Sequence, residues 1–377
     1  MTNYRLTPLQ NISEHKRRII ERARKNMQTP LSMKQRKQMR MPAVIAALTV
    51  LLALFLAVPF VQQAFFGKVN FTIEKVVIPN VSYDSLINST YIEETNEIVY
   101  STDTGFYAFD VEKKQASLLV NTSEVGQIYN YAVSENWLIW GQPVENVTKM
   151  HVYNRQTHEI SVLEIDHFYR NELKNDTIIY LSLLEQNVSP IYMAINLKTG
   201  HSQTLREFKG GSNSGPTIDG NYIAISEQID KAKPSITTVS VHDFETAQNI
   251  GSYSFPYEIA QNVLLKGNKI FGLLWNSGEM KPPVVGMIDM ATNEFKELDI
   301  SFGVDGYATN GQHFAISVAK GESNTVQLFE LEGTELKRVS TLPQIKERLV
   351  KPRFTEQGTL VVNGEGPDKA MYLIKYE

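Results

Sequence analysis

The residues able to do chemistry are spread thinly along this chain. Seven histidines, His15, His151, His158, His167, His201, His242 and His313, fall in no metal-ligand spacing, and no H-E-x-x-H pattern is present. Cysteine is absent, which removes disulfides, thiolate metal sites and cysteine nucleophiles in one step. There is no G-x-S-x-G elbow and no phosphate-binding loop, and Gly210-Gly211 opens no helical pattern. His242-Asp243 resembles an acid–base pair, but it sits on a turn that recurs elsewhere without the histidine. The inventory points away from a local catalytic motif, a bound metal and a cofactor, and the expectation is a protein that is not an enzyme. A site assembled from distant segments would carry no such local signature.

Chemistry that does recur is carboxylate chemistry, and it follows a strand-like tetrad. The tetrads are Glu97-Ile-Val-Tyr100, Trp137-Leu-Ile-Trp140, Thr177-Ile-Ile-Tyr180, Tyr222-Ile-Ala-Ile225, Lys269-Ile-Phe-Gly272, His313-Phe-Ala-Ile316 and Thr359-Leu-Val-Val362. Their second residues are spaced by 40, 40, 45, 47, 44 and 46, the length that four short strands and their turns require. A second signal has the same period: a strand ending in Asp or Asn before a polar turn, around Asp110, Asn154, Asn196, Asp243 and Asp289, with Glu330 in the sixth place. Short Asx side chains accept backbone N–H bonds and reverse the chain there.

The spacing predicts an all-β fold, a seven-bladed β-propeller with WD40-like repeats whose units start near residues 84, 121, 165, 210, 256, 301 and 344. Six or eight blades fit the same boundaries, and a pair of β-sandwiches or an irregular solenoid is the competing architecture. The last unit has three strands only, while residues 70–78 form a strand left over before the first. Pairing of 70–78 with 370–377 would close the ring and cover an exposed edge.

In such a ring the loops after the second strands share one face with the blade-to-blade connections. They hold Asp103, Glu145, Glu185, Glu227 with Asp230, Glu279, Glu322, and Glu365 with Asp368. Together these would form a negative rim suited to a basic peptide, a polyamine or a divalent cation. Chance composition explains the same pattern, because 39 acidic residues follow residue 40. Trp140 and Trp275 lie beside this rim, as interface anchors if exposed and as core residues if buried.

The remaining elements fix location. Residues 41–61, MPAVIAALTVLLALFLAVPFV, contain one polar side chain, Thr49, and no charge. At ~1.5 Å per helical residue they span roughly 30 Å, one bilayer core, and read as a transmembrane helix. Residues 1–40 carry eleven Lys/Arg against Glu14 and Glu21, a surplus of nine; with a whole-chain charge of -4, the remainder carries -13. The positive-inside rule then places the N-terminus in the cytoplasm of a single-pass protein and residues 70–377 outside, after a linker at 62–69. A cleaved signal peptide is the alternative, against which stand the long basic region and the absence of an A-x-A site. An exported domain without cysteine suits a Gram-positive plasma membrane.

Within the basic segment, residues 13–27 form a short helix-compatible stretch beginning at Ser13. Ile12, Ile19, Ile20, Ala23 and Met27 make a narrow apolar stripe on it. The segment either lies on anionic lipid or captures a cytoplasmic protein by helix-in-groove packing. Nucleic acid is disfavoured, since Tyr4 is its only aromatic residue and no binding motif is present. This layout, carried by NISEHKRRIIERARKNM through MKQRKQMR before the span and a large outer domain after it, resembles the membrane-bound anti-sigma factors and related regulators of Gram-positive bacteria. The resemblance implies a sigma factor or other regulator as cytoplasmic partner and a protein or other ligand outside. The His-x3-Cys-x2-Cys zinc pattern of many anti-sigma domains is absent. An anchored cell-envelope scaffold or assembly factor is the alternative.

Overall fold

A strand packed between two neighbouring sheets has both faces covered, so it reads as an unbroken apolar run rather than an alternating one. Each tetrad becomes such a strand. Its second residue, Ile98, Leu138, Ile178, Ile223, Ile270, Phe314 or Leu360, is 0% exposed in every repeat. The computed structural model describes residues 71–376, apart from 123–127, 129, 145–146, 166–167, 183–188, 209, 212–213, 230–235, 319–324 and 343–344. Residues 1–70, and with them the 41–61 span and the stripe from Ile12 to Met27, lie outside the described residues. Among the described residues no helix is long and apolar enough to cross a membrane.

Seven antiparallel sheets of four strands each make a seven-bladed β-propeller. Blade 5 shows the plan, with an inner strand Ile259–Lys266, a second Lys269–Trp275, a third Val284–Asp289 and an outer Glu294–Glu297. Blade 7 takes its outer strand from the other end of the chain. Phe71–Val76 pairs with Met371–Tyr376, with Phe71 opposite Tyr376 and Val76 opposite Met371. Lys75 Nζ lies 2.7 Å from Asp368 and 3.8 Å from Glu347 across this seam, and Glu347 also accepts bonds from Gly366 N and the Tyr372 hydroxyl within the C-terminal part of the blade. A single turn of helix, α1 (Tyr83–Ile87), capped by Ser82 whose Oγ accepts from Ser85 N at 3.0 Å, then leads into blade 1.

The core lies between blades. Val76, Met371 and Leu373 of blade 7 pack with Ile98, Tyr100 and Phe109 of blade 1. Phe271 of blade 5 meets Phe314 of blade 6 edge to face at 5.1 Å. Each blade is thus held by its neighbours, and burial at roughly 25 cal/mol per Å² of apolar surface is the main force closing the ring.

The repeated turn forms as the sequence dictates in five blades. Asp110 Oδ1 accepts from Lys113 N at 2.8 Å, Asn154 Oδ1 from Gln156 N at 2.9 Å, Asn196 Oδ1 from Thr199 N at 3.0 Å, Asp243 Oδ1 from Thr246 N at 2.8 Å and Asp289 Oδ1 from Ala291 N at 2.8 Å. Four residues on, the backbone turns left-handed, at Lys114 (φ 54°), His158 (φ 62°), Gly200 (φ 70°), Ala247 (φ 57°) and Asn293 (φ 57°). Glu330 breaks the series. It lies inside the strand Thr325–Glu332, and the chain reverses instead at Gly333 (φ 63°). A side chain one methylene longer does not close the Asx ring, so glycine supplies the turn.

Candidate functional site in the axial channel

Four of the five described carboxylates of the proposed acidic rim are answered locally. Glu227 is 2% exposed, bonded by Arg206 at 2.7 Å and by Gly210 N at 3.0 Å, so it belongs to the wall of blade 4 rather than to an open rim. Glu279 is exposed and held below the usual carboxylate range by bonds from Asn276 and Lys281. Glu365 pairs with Arg348 at 3.0 Å and accepts from Tyr83, and Asp368 pairs with Lys75. Asp103 is exposed in the tight turn between Thr102 and Gly105. Glu145, Glu185, Asp230 and Glu322 lie outside the described residues. No group of three or more acidic or histidine side chains among the described residues could hold a metal ion.

The tryptophans separate. Trp140 is 2% exposed, packed on Phe106 at 5.3 Å and stacked on His151 at 4.8 Å, which makes it core rather than an anchor on the surface. Trp275 is half-buried against the core shared by blades 5 and 6. The His242–Asp243 pair divides as well. Asp243 makes its turn, while buried His242 donates from Nδ1 to the Ala247 carbonyl at 3.2 Å and accepts at Nε2 from Ser240. Burial holds its pKa low, so the ring stays neutral and braces the turn.

Convergence occurs instead along the axis. The inner strands of blades 3, 5, 6 and 7 each carry a bulge, at 169–172, 261–264, 304–306 and 350–353. In three of them the bulged residue is left-handed without being glycine: Arg170 (φ 44°), Asn262 (φ 50°) and Lys351 (φ 51°). A bulge re-aims the side chain it carries, and here the polar side chains tie one blade to the next. Asn130 Nδ2 donates to the Phe168 carbonyl at 3.0 Å, Arg170 to that of Ser214 at 3.0 Å and Asn262 to that of Tyr307 at 2.7 Å. Ser214 Oγ accepts from Val263 N at 2.8 Å, and the Tyr131 hydroxyl donates to the Asn88 carbonyl at 2.7 Å. Lys351 Nζ closes the circuit with the Ile87 carbonyl at 2.6 Å.

Two cavities follow from this arrangement. One, of about 480 Å³, is walled by residues on and beside the inner strands of blades 1, 2, 3 and 7; the other, of about 540 Å³, by residues of blades 4, 5, 6 and 7, including Leu273 and Ser317 of second strands. Blades on opposite sides of a ring can wall one cavity only at its axis. Lys351 and Arg353 line both, and so occupy the waist between them.

The waist is electropositive. Burial, and then the charge of Arg353, push the Lys351 ammonium down to about 8, although solvent still reaches it through the channel. Arg353 is likewise disfavoured by burial, with Tyr131 opposing, yet stays charged at neutral pH. All their hydrogen bonds end on neutral oxygens: Ile87 O and Asn88 Oδ1 for Lys351; Lys351 O, Asn363 Oδ1 and Ser89 O for Arg353. Neither takes part in an ion pair among the described residues. Glu172, on the wall of the first cavity, has a side chain open to that cavity, yet the protein around it strips enough water from its carboxyl to push it up to about 7, with Lys266 and Lys174 pulling down and Glu356 pushing up.

None of these channel residues stands out in the sequence, but a signal exists. Asn130, Arg170, Asn262 and Lys351 lie eight or nine positions before the buried residue of their tetrads, Leu138, Ile178, Ile270 and Leu360. Aligning the repeats on the tetrads brings out a polar residue at that offset.

No protein-family model matches the chain, and no curated protein sequence matches it. Solved structures do. The tricorn protease is similar over 81% of this chain and 35% of its own, with a TM-score of 0.57 and 9% identity. A chain of the mitotic checkpoint complex is similar over 80% of this chain and 92% of its own (TM-score 0.54, 12% identity), and an oligogalacturonate lyase in complex with manganese over 83% and 98% (TM-score 0.50, 11% identity). Two enzymes and a member of a protein complex share the architecture, so at these identities the likeness is one of fold: this chain contains a β-propeller.

Proposed function

We propose that this chain is a single-pass protein of a bacterial plasma membrane whose outer propeller is a binding or sensing module, with the axial channel as its ligand site, and whose basic N-terminal segment holds a cytoplasmic regulator. The observation that carries this reading is the channel waist. Two cations from one bulged strand face both cavities and make no ion pair among the described residues, although carboxylates such as Glu172 and Asp305 line the same walls, an arrangement that is costly for the fold and useful to a ligand. The uncharged stretch 41–61 and the basic surplus before it support the tether. One span without a polar relay carries no shape change by itself, so the signal passes by dimerisation, proteolysis or release of the partner.

Deleting residues 1–28 tests the regulator. Transcript profiling of cells with the truncated chain is expected to show a deregulated set of genes, whereas an unchanged profile rejects the regulator and leaves the tethered binding module. A second reading, an envelope scaffold, is favoured by one surface. The outer strand of blade 2, Ile160–Ile165, is an unpaired edge with Ile160, Val162 and Leu163 exposed at 49%, 48% and 37%, a template on which a partner's strand could pair.

A further inference from the structure

The waist of the channel has a stricter chemistry than a general polar lining. Arg353 has five N–H donors. Its Nη1 makes two bonds and its Nη2 one, and its Nε bonds nothing among the described residues. What remains is the side-on edge, Nε–H with the second Nη2–H, the fork that grips a carboxylate with two parallel bonds. Lys351 has three donors and spends two, on Ile87 O and Asn88 Oδ1.

A third group on the wall of the larger cavity points the same way. Ser317 is 2% exposed, and its Oγ has no hydrogen-bond partner. It lies opposite Gly306 in the register, where the missing side chain leaves the wall open: a Cβ on Gly306 would meet nothing within 4 Å. A buried hydroxyl without a partner costs about 1–3 kcal/mol and is retained where something else supplies the bond. The remaining wall is mostly neutral, with Asn262, Tyr307 and Leu273, and Asp305 as its one carboxylate among the described residues.

We propose that the waist binds the carboxylate of a small polar organic acid, gripped by Arg353 and Lys351, with the body of the ligand in the larger cavity against Ser317 and Asn262. The proposal rests on the binding-module reading and names its ligand class. A bound carboxylate neutralises two cations that otherwise repel each other, completes the donors of Arg353 and satisfies Ser317. The ionisation of Lys351 adds a pH signature: affinity falls as pH rises above about 8.

The test is isothermal titration of the full chain in detergent with glucuronate, citrate, inorganic phosphate and glucose. Glucuronate or citrate is expected to bind and glucose not to. Lys351→Asn removes the charge, and Asn tolerates the left-handed backbone there, so the variant should still fold with a single unfolding transition, lowered at most by the lost bonds to Ile87 and Asn88, and bind at least tenfold more weakly. Ser317→Ala, which removes only an unpartnered hydroxyl, should keep the fold and weaken binding several-fold. Gly306→Phe, growing into the cavity, should abolish it. No carboxylate binding at millimolar concentration, a preference for phosphate, or full affinity in a folded Lys351→Asn variant each overturns the proposal. Glucose binding that Gly306→Phe blocks and Lys351→Asn leaves intact would overturn the charge assignment while keeping the channel as the site. The reading beneath it fails separately, if Gly306→Phe cells keep the wild-type transcript response.

Discussion

Glu172 shows how little a residue's type says until its surroundings are known. In sequence it is one acidic residue among many; on the channel wall, partial loss of water around an otherwise accessible side chain pushes its carboxyl from 4.5 up to about 7. Between those values the folded protein keeps a proton that the unfolded chain has released, so its contribution to stability declines as pH rises from about 4.5 to 7. Glu172→Gln should therefore leave the melting temperature unchanged near pH 4 and raise it near pH 8; equal melting at both pH values would show that the carboxylate is fully solvated. The rim carboxylates illustrate the converse. Glu227, Glu279, Glu365 and Asp368 all fall near the ends of second strands or in the loops after them, yet each is neutralised or bonded by a residue close to it in space.

At the scale of the element, the second strand of each blade carries the fold, because it is covered on both faces. Ile98, at 0% exposure, packs in the cluster that joins blades 7 and 1. Ile98→Ala is expected to cost about 2–5 kcal/mol in urea unfolding, from lost burial plus an unfilled cavity. Leu118, 51% exposed on the outer strand of the same blade, should lose under about 0.5 kcal/mol when changed to Ala. The contrast was legible in the sequence, since the tetrads are unbroken apolar runs while the outer strands are mixed. The inner strands were not legible in this way. Their bulges interrupt the alternation and replace apolar residues with Arg170, Asn262 and Lys351.

For the whole molecule the decisive contact is the one between the two ends of the described chain. Val76, 5% exposed, lies opposite Met371 and enters the core between blades 7 and 1. Val76→Asp would bury an unpaired charge at that seam, at a cost on the order of 3 kcal/mol or more. Because every blade leans on its neighbours, the loss should appear as a single unfolding transition shifted to lower temperature. Local fraying of residues 71–76 in hydrogen exchange, with the global midpoint unchanged, would show that the seam does not close the ring.

The count of seven blades among six, seven or eight came from the sheets themselves, while by itself the sequence determined the repeat, the place of each second strand and the five Asx turns. These rest on interactions within a few residues or on a pattern that repeats, and both are written locally. Only the tertiary structure decided what lies at the centre. Lys351 bonds the Ile87 carbonyl across 264 positions, and Arg353 reaches Ser89 across 264. The channel wall is built from single residues of every blade, each unremarkable in its own repeat. Its charge emerges because ring closure brings two cations to one axis, where neither makes an ion pair among the described residues.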